Sequence, residues 1–215
     1  MPELVWLLYA LPGQKPAVHV HTWRTCVFKH LAVAVVAAGL AASAVPALAL
    51  EMTVTQIDTS SNGTATFHFA IRTEANETLS PGQPVTAGDF VTIYNFYGFV
   101  ENSVKSPDGW VFSSEDFGRT PMLNGYPMVA PIDIPNTPNL TWTVTKPVAA
   151  GTQVDGFTAT TRMTGTTQGQ YAAQVTRQVP AVKGVAAGSP LAAAQPVKQA
   201  LIGPLPTPTF LIEVK

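Results

Sequence analysis

Few residues after position 50 have side chains that could carry out catalysis, and the only histidine among them is His68. A Ser-His-Asp triad of the hydrolase type would use this histidine together with a Gly-x-Ser-x-Gly turn, which the sequence lacks. A zinc site is also disfavoured, because zinc binds cysteine and histidine and no cysteine follows position 50. These observations predict a protein that is not an enzyme and that needs no cofactor.

Carboxylates are the remaining side chains that could bind a metal or cleave a glycosidic bond. Asp108, Glu115 and Asp116 lie near Trp110 in the sequence, and calcium accepts such oxygen ligands. The Asp-x-Asp-x-Asp-Gly spacing of a calcium loop is absent, so these three residues are only a weak calcium candidate and no metal is predicted. A hydrolase that uses Glu115 or Asp116 is a further alternative, against charges that are simply solvated in loops.

Aromatic side chains offer a route to binding rather than catalysis, since exposed rings stack on sugars and other flat apolar surfaces. Trp110 follows a turn at Asp108 and Gly109, and Tyr126 lies in a proline-rich segment. These two rings are the better candidates for an exposed platform, with burial in the core as the alternative, whereas we expect Trp142 to belong to the core. Trp110, Tyr126 and Asp108 are therefore the candidate ligand-binding residues.

The start of the chain has the three parts of a bacterial secretory signal in order. Basic residues up to His30 precede an apolar run at residues 31–40, and residues 47–49 follow with the Ala-x-Ala pattern of a cleavage site. We expect cleavage after Ala49, with an uncleaved membrane anchor as the alternative. The part of the chain before Val27 is longer than the leader of an ordinary signal peptide. We therefore expect translation to start at Val27. The signal predicts a protein that is secreted or held at the exterior of the cell envelope.

Charge and cysteine content set limits on the mature part of the chain. From residue 50 onward nine Lys and Arg stand against twelve Asp and Glu without any basic run, so no nucleic-acid partner is expected. The only cysteine, Cys26, precedes the apolar run, so the mature domain has no disulfide. The apolar residues near the end of the chain are too few for the roughly 20 that a membrane span needs, so no span is expected there.

After residue 50 apolar and polar residues alternate in short runs that turn clusters separate, which is typical of antiparallel strands. Asn62-Gly63 predicts a hairpin turn, and the following strand has Phe67, Phe69 and Ile71 on its core-facing side. The predicted strands are residues 52–59, 64–73, 89–100, 110–113, 140–145, 155–164 and 170–178, with a hairpin turn at 165–169.

About seven strands predict an all-β antiparallel sandwich, Ig-like or jelly-roll-like, over residues 50–179. Residues 1–49 then form an N-terminal extension with the signal peptide, and residues 180–215 form an Ala/Pro-rich tail. Residues 115–138 contain five prolines and predict a long loop, a kind of segment that is usually functional or mobile.

Four segments carry a resemblance to a known family: GDFVTIYNFYGFV at 88–100, SPDGWVFSS at 106–114, NTPNLTWTVT at 136–145 and GFTATTRMTGTTQGQYAAQVTR at 156–177. Over about residues 50–180 the chain resembles exported bacterial proteins that carry a PEP-CTERM sorting domain. The resemblance implies a secreted β-domain of unknown activity from exopolysaccharide-producing bacteria. The family's Val-Pro-Glu-Pro motif, apolar helix and basic end are missing here, so either the gene is truncated near Pro206 or this member is released rather than sorted.

We therefore expect a secreted, non-catalytic β-sandwich with a structural or adhesive role in the cell envelope or extracellular matrix. The alternative is a carbohydrate-binding module that recognises extracellular polysaccharide through Trp110, Tyr126 and Asp108. The expected partners are extracellular polysaccharide or other envelope proteins.

Overall fold

The computed structural model of the chain describes residues 50–123, 126–127, 131–185, 189 and 193–210. In this part of the chain the fold is all-β, and a 3-10 turn at Val85–Ala87 is the only helical element. The predicted extension and signal peptide at 1–49 lie outside the described residues. The strands are β1 (Glu51–Thr59), β2 (Ala65–Arg72), β3 (Glu77–Thr78), β4 (Phe90–Ile93), β5 (Trp110–Glu115), β6 (Met122–Leu123), β7 (Tyr126–Pro127), β8 (Asn139–Val144), β9 (Gln153–Thr161), β10 (Gly165–Val179) and β11 (Gln195–Thr209).

Two antiparallel sheets contain nine of these strands. The first sheet has the order β1-β2-β9, and the second has the order β11-β10-β4-β8-β5, with the two-residue β3 beside β10. Strands β6 and β7 form a separate short hairpin. The predicted all-β antiparallel sandwich is confirmed, and so is the hairpin of β1 and β2, whose turn has Gly63 at a φ of 81°.

The core lies between the two sheets, and alternation along each strand decides which side chains enter it. Phe67, Phe69 and Ile71 are buried on β2, as predicted. Across the core the ring of Trp142 on β8 lies 6.1 Å from that of Phe69 and 5.7 Å from that of Phe157 on β9. Aromatic pairs of this kind contribute about 0.5–1.5 kcal/mol each beyond the burial of their area. They stabilise a domain that has no disulfide.

The prediction of a tail at residues 180–215 is wrong for residues 195–209, which form β11. This strand pairs with β10 in one unbroken register along its whole length, and its Leu205 and Thr207 are buried. The composition misled because prolines are usually absent from strands. Strand β11 is at the edge of its sheet, where a position whose N–H would face solvent tolerates proline.

Several strand boundaries also differ from the predicted ones. The strand predicted at 89–100 ends at Ile93, because Asn95 takes a left-handed φ of 55°. The turn predicted at 165–169 is the beginning of β10, and residues 162–164 make the connection instead. Since β9 and β10 belong to different sheets, this connection crosses from one sheet to the other and does not close a hairpin.

Arg119, in the proline-rich segment, covers part of the outer face of the second sheet. The guanidinium of Arg119 lies 3.9 Å from the ring centroid of Phe90 and donates to Thr143 Oγ1 at 2.9 Å. The hydroxyl of Tyr94 donates to the backbone oxygen of Arg119 at 3.1 Å. This cover explains why Thr143 is buried although alternation along β8 places it on the side away from the core.

Candidate functional site

Trp110, the predicted aromatic platform, is a core residue. It is 7% exposed, and its ring meets that of Phe157 edge to face at 4.9 Å. The pairing of β5 with β8 turns Trp110 and Phe112 toward the opposite sheet, while Val111 between them is 50% exposed. The expectation of an exposed ring is wrong, because a neighbouring turn does not decide which face of the strand a residue occupies.

Asp108, the second predicted ligand-binding residue, does not form a common face with Trp110. Asp108 is exposed, and its Oδ2 accepts a hydrogen bond from Lys146 Nζ at 2.6 Å. This hydrogen bond and the charge of Lys146 hold the pKa of Asp108 below its usual value. Tyr126 lies in β7, and its side chain is outside the described residues. Trp110 points into the core and Asp108 into solvent, so the two do not share a binding surface.

The weak calcium candidate is not supported by the geometry. Glu115 ends β5, which rises about 17 Å from Trp110 to Glu115, and Asp108 lies in the turn before the opposite end of that strand. One calcium ion holds its ligands at about 2.3–2.6 Å, which this separation does not allow. Among the described residues no group of three or more His, Cys, Asp or Glu is arranged to hold a metal ion.

A different group of residues lines a cleft of about 400 Å³ at the rim of the sandwich, which we call the acidic cleft. One wall is the segment that follows β4, which bridges to β9 at Phe99 and again at Lys105. The other wall is the end of β5, an edge strand of the second sheet. The lining residues are Phe99, Glu101, Asn102, Phe112, Ser114, Glu115, Asp116 and Pro138.

Two aromatic rings and three carboxylates give the acidic cleft its chemistry. The rings of Phe99 and Phe112 lie 6.0 Å apart at a tilt of 53°, and both are half-buried against the core. Glu101, Glu115 and Asp116 are exposed and bring three negative charges to the rim. Rings that present an apolar face beside carboxylate oxygens can bind a ligand that has both apolar and hydroxyl groups.

The polar side chains of the acidic cleft are free of direct polar contacts, although the charge of Glu115 acts on the guanidinium of Arg119. Within the described part of the chain, Glu101, Glu115, Asp116 and the neighbouring Asn102 and Ser114 make no side-chain hydrogen bond and no ion pair. A cleft of this volume is within the range of about 300–1,000 Å³ that ligand sites occupy. Its hydrogen-bonding groups are thus available to a ligand without the loss of internal contacts.

A larger cleft of about 590 Å³ lies over the second sheet, and there the polar groups already serve the fold. Arg119 is hydrogen-bonded to Thr143 and to the backbone oxygens of Thr86 and Gly88. Burial is the main cause that lowers the pKa of its guanidinium below the usual value. Lys198, at the other side of this cleft, is paired with a buried carboxylate. A ligand there would have to replace contacts that hold the segment at 115–138 and β11 in place.

Asn139 at the beginning of β8 fixes the position of Asp116, one of the carboxylates of the acidic cleft. Its Nδ2 donates to the backbone oxygen of Asp116 at 3.2 Å and to Asp133 Oδ1 at 2.9 Å. Its Oδ1 accepts from the backbone N–H of Asn95 at 2.9 Å. Because Asn139 is fully buried, these three bonds fix the chain at 116 relative to both neighbouring segments.

His68 has a partner that the sequence did not indicate. Its Nε2 lies 2.8 Å from Asp58 Oδ2 on the neighbouring strand β1, near the exposed face of the first sheet. The side chains of Gln56 and His68, in that order of importance, hold the pKa of Asp58 below its usual value. The pair is a cross-strand contact on a surface.

Sequence reasoning missed the acidic cleft because its residues come from two segments that the chain brings together only on folding. One signal was present: Trp110, Phe112 and Ser114 alternate along one strand. That alternation places Phe112 and Ser114 on the same face of β5, with Ser114 nearer to the end of the strand that lines the acidic cleft. The partner wall at 99–102 consists of the end of the strand predicted at 89–100 and the two residues after it, for which the sequence predicts no element.

Among the described residues no helix is long and apolar enough to cross a membrane. Comparison of the chain with protein-family models, with curated proteins and with solved structures finds no match. The resemblance to exported PEP-CTERM proteins, carried by the four sequence segments, therefore stays a prediction.

Proposed function

We propose that this chain is an exported, non-catalytic β-sandwich that adheres to extracellular polysaccharide through the acidic cleft. The observation that supports the proposal is the set of free carboxylates beside two aromatic rings, Phe99 and Phe112. Carboxylates accept hydrogen bonds from sugar hydroxyls, and the bonds to charged acceptors are stronger than those between neutral groups. The apolar faces of sugar rings pack against aromatic side chains.

This role joins the two functions that the sequence left open, adhesion in the matrix and carbohydrate binding. It uses other residues than the predicted Trp110 and Asp108, which do not share a face. The three carboxylates of the acidic cleft repel anionic chains, so the expected ligand is a neutral or amino-sugar polysaccharide.

The test is binding of the exported product of the full chain to neutral, amino-sugar and uronic-acid polysaccharides by affinity electrophoresis. We expect retardation by a neutral or amino-sugar polymer and none by the uronic-acid polymer. Changing Glu101→Gln together with Glu115→Gln keeps the shape of the rim and removes two charges. Affinity is expected to fall about tenfold or more, because one hydrogen bond to a charged group contributes about 1.5–3 kcal/mol.

The matched control is Asp155→Asn, an exposed carboxylate outside the acidic cleft, which is expected to leave binding unchanged. Equal binding by the double variant and the unchanged protein would contradict the assignment of the acidic cleft as the polysaccharide-binding site. Failure to bind any polymer in the panel would contradict polysaccharide recognition and leave contact with other envelope proteins as the adhesive role to examine.

A further inference from the structure

Leu50 is the first residue after the predicted cleavage site, and it is fixed in the interior of the domain. It is fully buried and belongs to the core between the sheets. Its backbone N–H donates to Glu77 Oε2 at 2.7 Å, and its backbone oxygen accepts from the hydroxyl of Tyr171 at 2.8 Å. Side chains from distant parts of the chain therefore hold both backbone groups of Leu50.

Glu77, the acceptor for Leu50, is a carboxylate with no exposure to solvent. Its Oε2 also accepts a long hydrogen bond from the backbone N–H of Glu74 at 3.5 Å. Its Oε1 is buried and has no hydrogen-bond partner among the described residues. A buried polar oxygen without a partner is rare in folded proteins, and it points to a missing donor.

The nearest basic residue in the sheet does not supply that donor. Arg177 pairs with Glu77 in the register of β10 and β3. With the Asn76 amide oriented so that its oxygen faces Arg177, the guanidinium donates to that oxygen at 2.9 and 3.1 Å. A third contact joins Arg177 to Gln199 at 3.4 Å. Glu77 thus has no ion pair with a described residue, although a buried carboxylate is costly without a cation.

We propose that cleavage of the peptide bond between Ala49 and Leu50 creates an α-ammonium that forms a buried ion pair with Glu77. This inference rests on the export in the proposed function, with a signal peptidase as the enzyme. Water breaks the bond: its hydroxyl goes to the carbonyl carbon of Ala49, and its proton goes to the nitrogen of Leu50. The new amine takes one more proton from solvent and becomes positively charged.

The ammonium has additional N–H donors and a positive charge, which the peptide nitrogen of Leu50 lacks. The amide of Leu50 has one hydrogen, which Glu77 Oε2 already accepts, whereas an ammonium has three and a positive charge. It can therefore reach Oε1 as well as Oε2 and neutralise the carboxylate. The mature fold gains an interaction that the uncleaved precursor lacks, so the precursor is the less stable of the two while it still has to cross the membrane.

The experiment uses the full chain, expressed in a bacterium that exports it, and the product that leaves the cytoplasm. N-terminal sequencing and intact mass are expected to show a chain that begins at Leu50. The native product is then treated with an amine-acylating reagent, and the labelled positions are found by peptide mass spectrometry. We expect the α-amine of Leu50 to react at least tenfold more slowly than the exposed Lys183, and to react readily in urea.

Two variants make the test specific for the carboxylate. Glu77→Gln removes the charge at nearly constant size, and we expect it to raise the labelling rate of the α-amine at least tenfold in the native protein. Glu51→Gln is the matched control, because this carboxylate is next to Leu50 in the sequence but exposed, and the amine is expected to stay protected. If Glu77→Gln does not accumulate, the native and urea-treated wild-type protein still decide between a buried and a free amine.

Each other outcome overturns a defined part of the inference. A product that begins at another residue overturns the cleavage site. A product that begins at Leu50 but labels as fast as Lys183 overturns the ion pair and leaves export intact. A chain that stays uncut in the cytoplasm of the exporting host overturns both this inference and the export on which it rests, whereas an uncut chain outside the cytoplasm overturns the cleavage and leaves export intact.

Discussion

The Nζ of Lys198 lies 2.5 Å from Oδ1 of Asp89, and this ion pair ties the edge strand β11 to the interior of the second sheet. Asp89 is fully buried, and its Oδ2 accepts from the backbone of Ser80 and from Thr176 Oγ1, each at 2.8 Å. Lys198 also donates to Thr176 at 2.9 Å. The Asp89 carboxylate thus joins three segments, and one of them is the segment whose composition predicts a tail.

Changing Lys198→Met removes the charge and keeps most of the side-chain stem. We expect a loss of about 2 kcal/mol in the free energy of unfolding, because the variant leaves Asp89 buried without a cation. The loss is below that of a fully buried pair, since the Lys198 side chain is 40% exposed. Urea titration measures the loss, and hydrogen exchange is expected to quicken along β11. Lys105→Met, at an exposed lysine, is the control, and equal effects of the two changes would contradict the role of the pair.

Changing Trp110→Ala is expected to reduce the free energy of unfolding by about 3–5 kcal/mol, because it leaves a cavity beside Phe157. The neighbouring Val111→Ala is expected to change it by less than about 0.5 kcal/mol, since Val111 is half exposed on the other face. Chemical denaturation of both variants measures the difference. A Trp110→Ala protein of unchanged stability would mean that the ring is not packed in the core.

Stability is expected to fall with pH in the acid range. The pKa values of Asp58 and Asp108 are held below their usual values in the folded chain, mainly by Gln56 and His68 for the first and by Lys146 for the second. A lowered folded pKa gives stability that is present above the unfolded value of about 4 and is lost as pH falls through the folded pKa. The urea midpoint should therefore decrease below about pH 4.

A double variant, Asp58→Asn with Asp108→Asn, is expected to show a shallower decrease of the urea midpoint over the same pH range. Both carboxylates are exposed, so solvent screening keeps the effect small. Superimposable pH curves of the double variant and the unchanged protein would rule out these two aspartates as a source of the acid sensitivity.

Prolines protect the outer edge of β11. Four prolines lie at even-numbered positions of this strand, and its pairing with β10 has no bulge: Pro196, Pro204, Pro206 and Pro208. Because backbone N–H groups alternate between the two sides of a strand, all four nitrogens face the same side. Proline cannot donate to β10, so this is the side away from β10. The edge therefore has no N–H donor at these four positions, so it cannot pair fully with another strand. Changing Pro204→Val together with Pro206→Val restores two donors on this side. We expect the variant to self-associate.

Sedimentation velocity over a range of concentrations measures the self-association of the Pro204→Val, Pro206→Val protein. Pro81→Val is the control, because it makes the same change at an exposed position outside the strands. A double variant that stays as monomeric as the control would show that some other feature protects this edge.

Local patterns in the sequence were sufficient for the first hairpin and for the core-facing side of single strands. The turn at Asn62-Gly63 requires a left-handed residue, which glycine provides. The alternation of Phe67, Phe69 and Ile71 places all three side chains on one side of the strand, and only that side is apolar enough to face the core. The turn and the buried side of β2 were therefore predicted correctly. These features depend on neighbours within a few residues. The same holds for Trp142, whose burial follows from the alternation along β8.

Features that depend on distant partners could not be predicted in this way. The sequence determined an all-β sandwich without disulfides, its first hairpin and the aromatic residues of its strands. Only the tertiary structure decided that Trp110 is buried, that a proline-rich segment is the edge strand β11, and that Glu101 and Glu115 face one cleft. The physical reason is that the face of a strand and the partner of an edge are set by sheet register and packing, which join residues far apart in the chain.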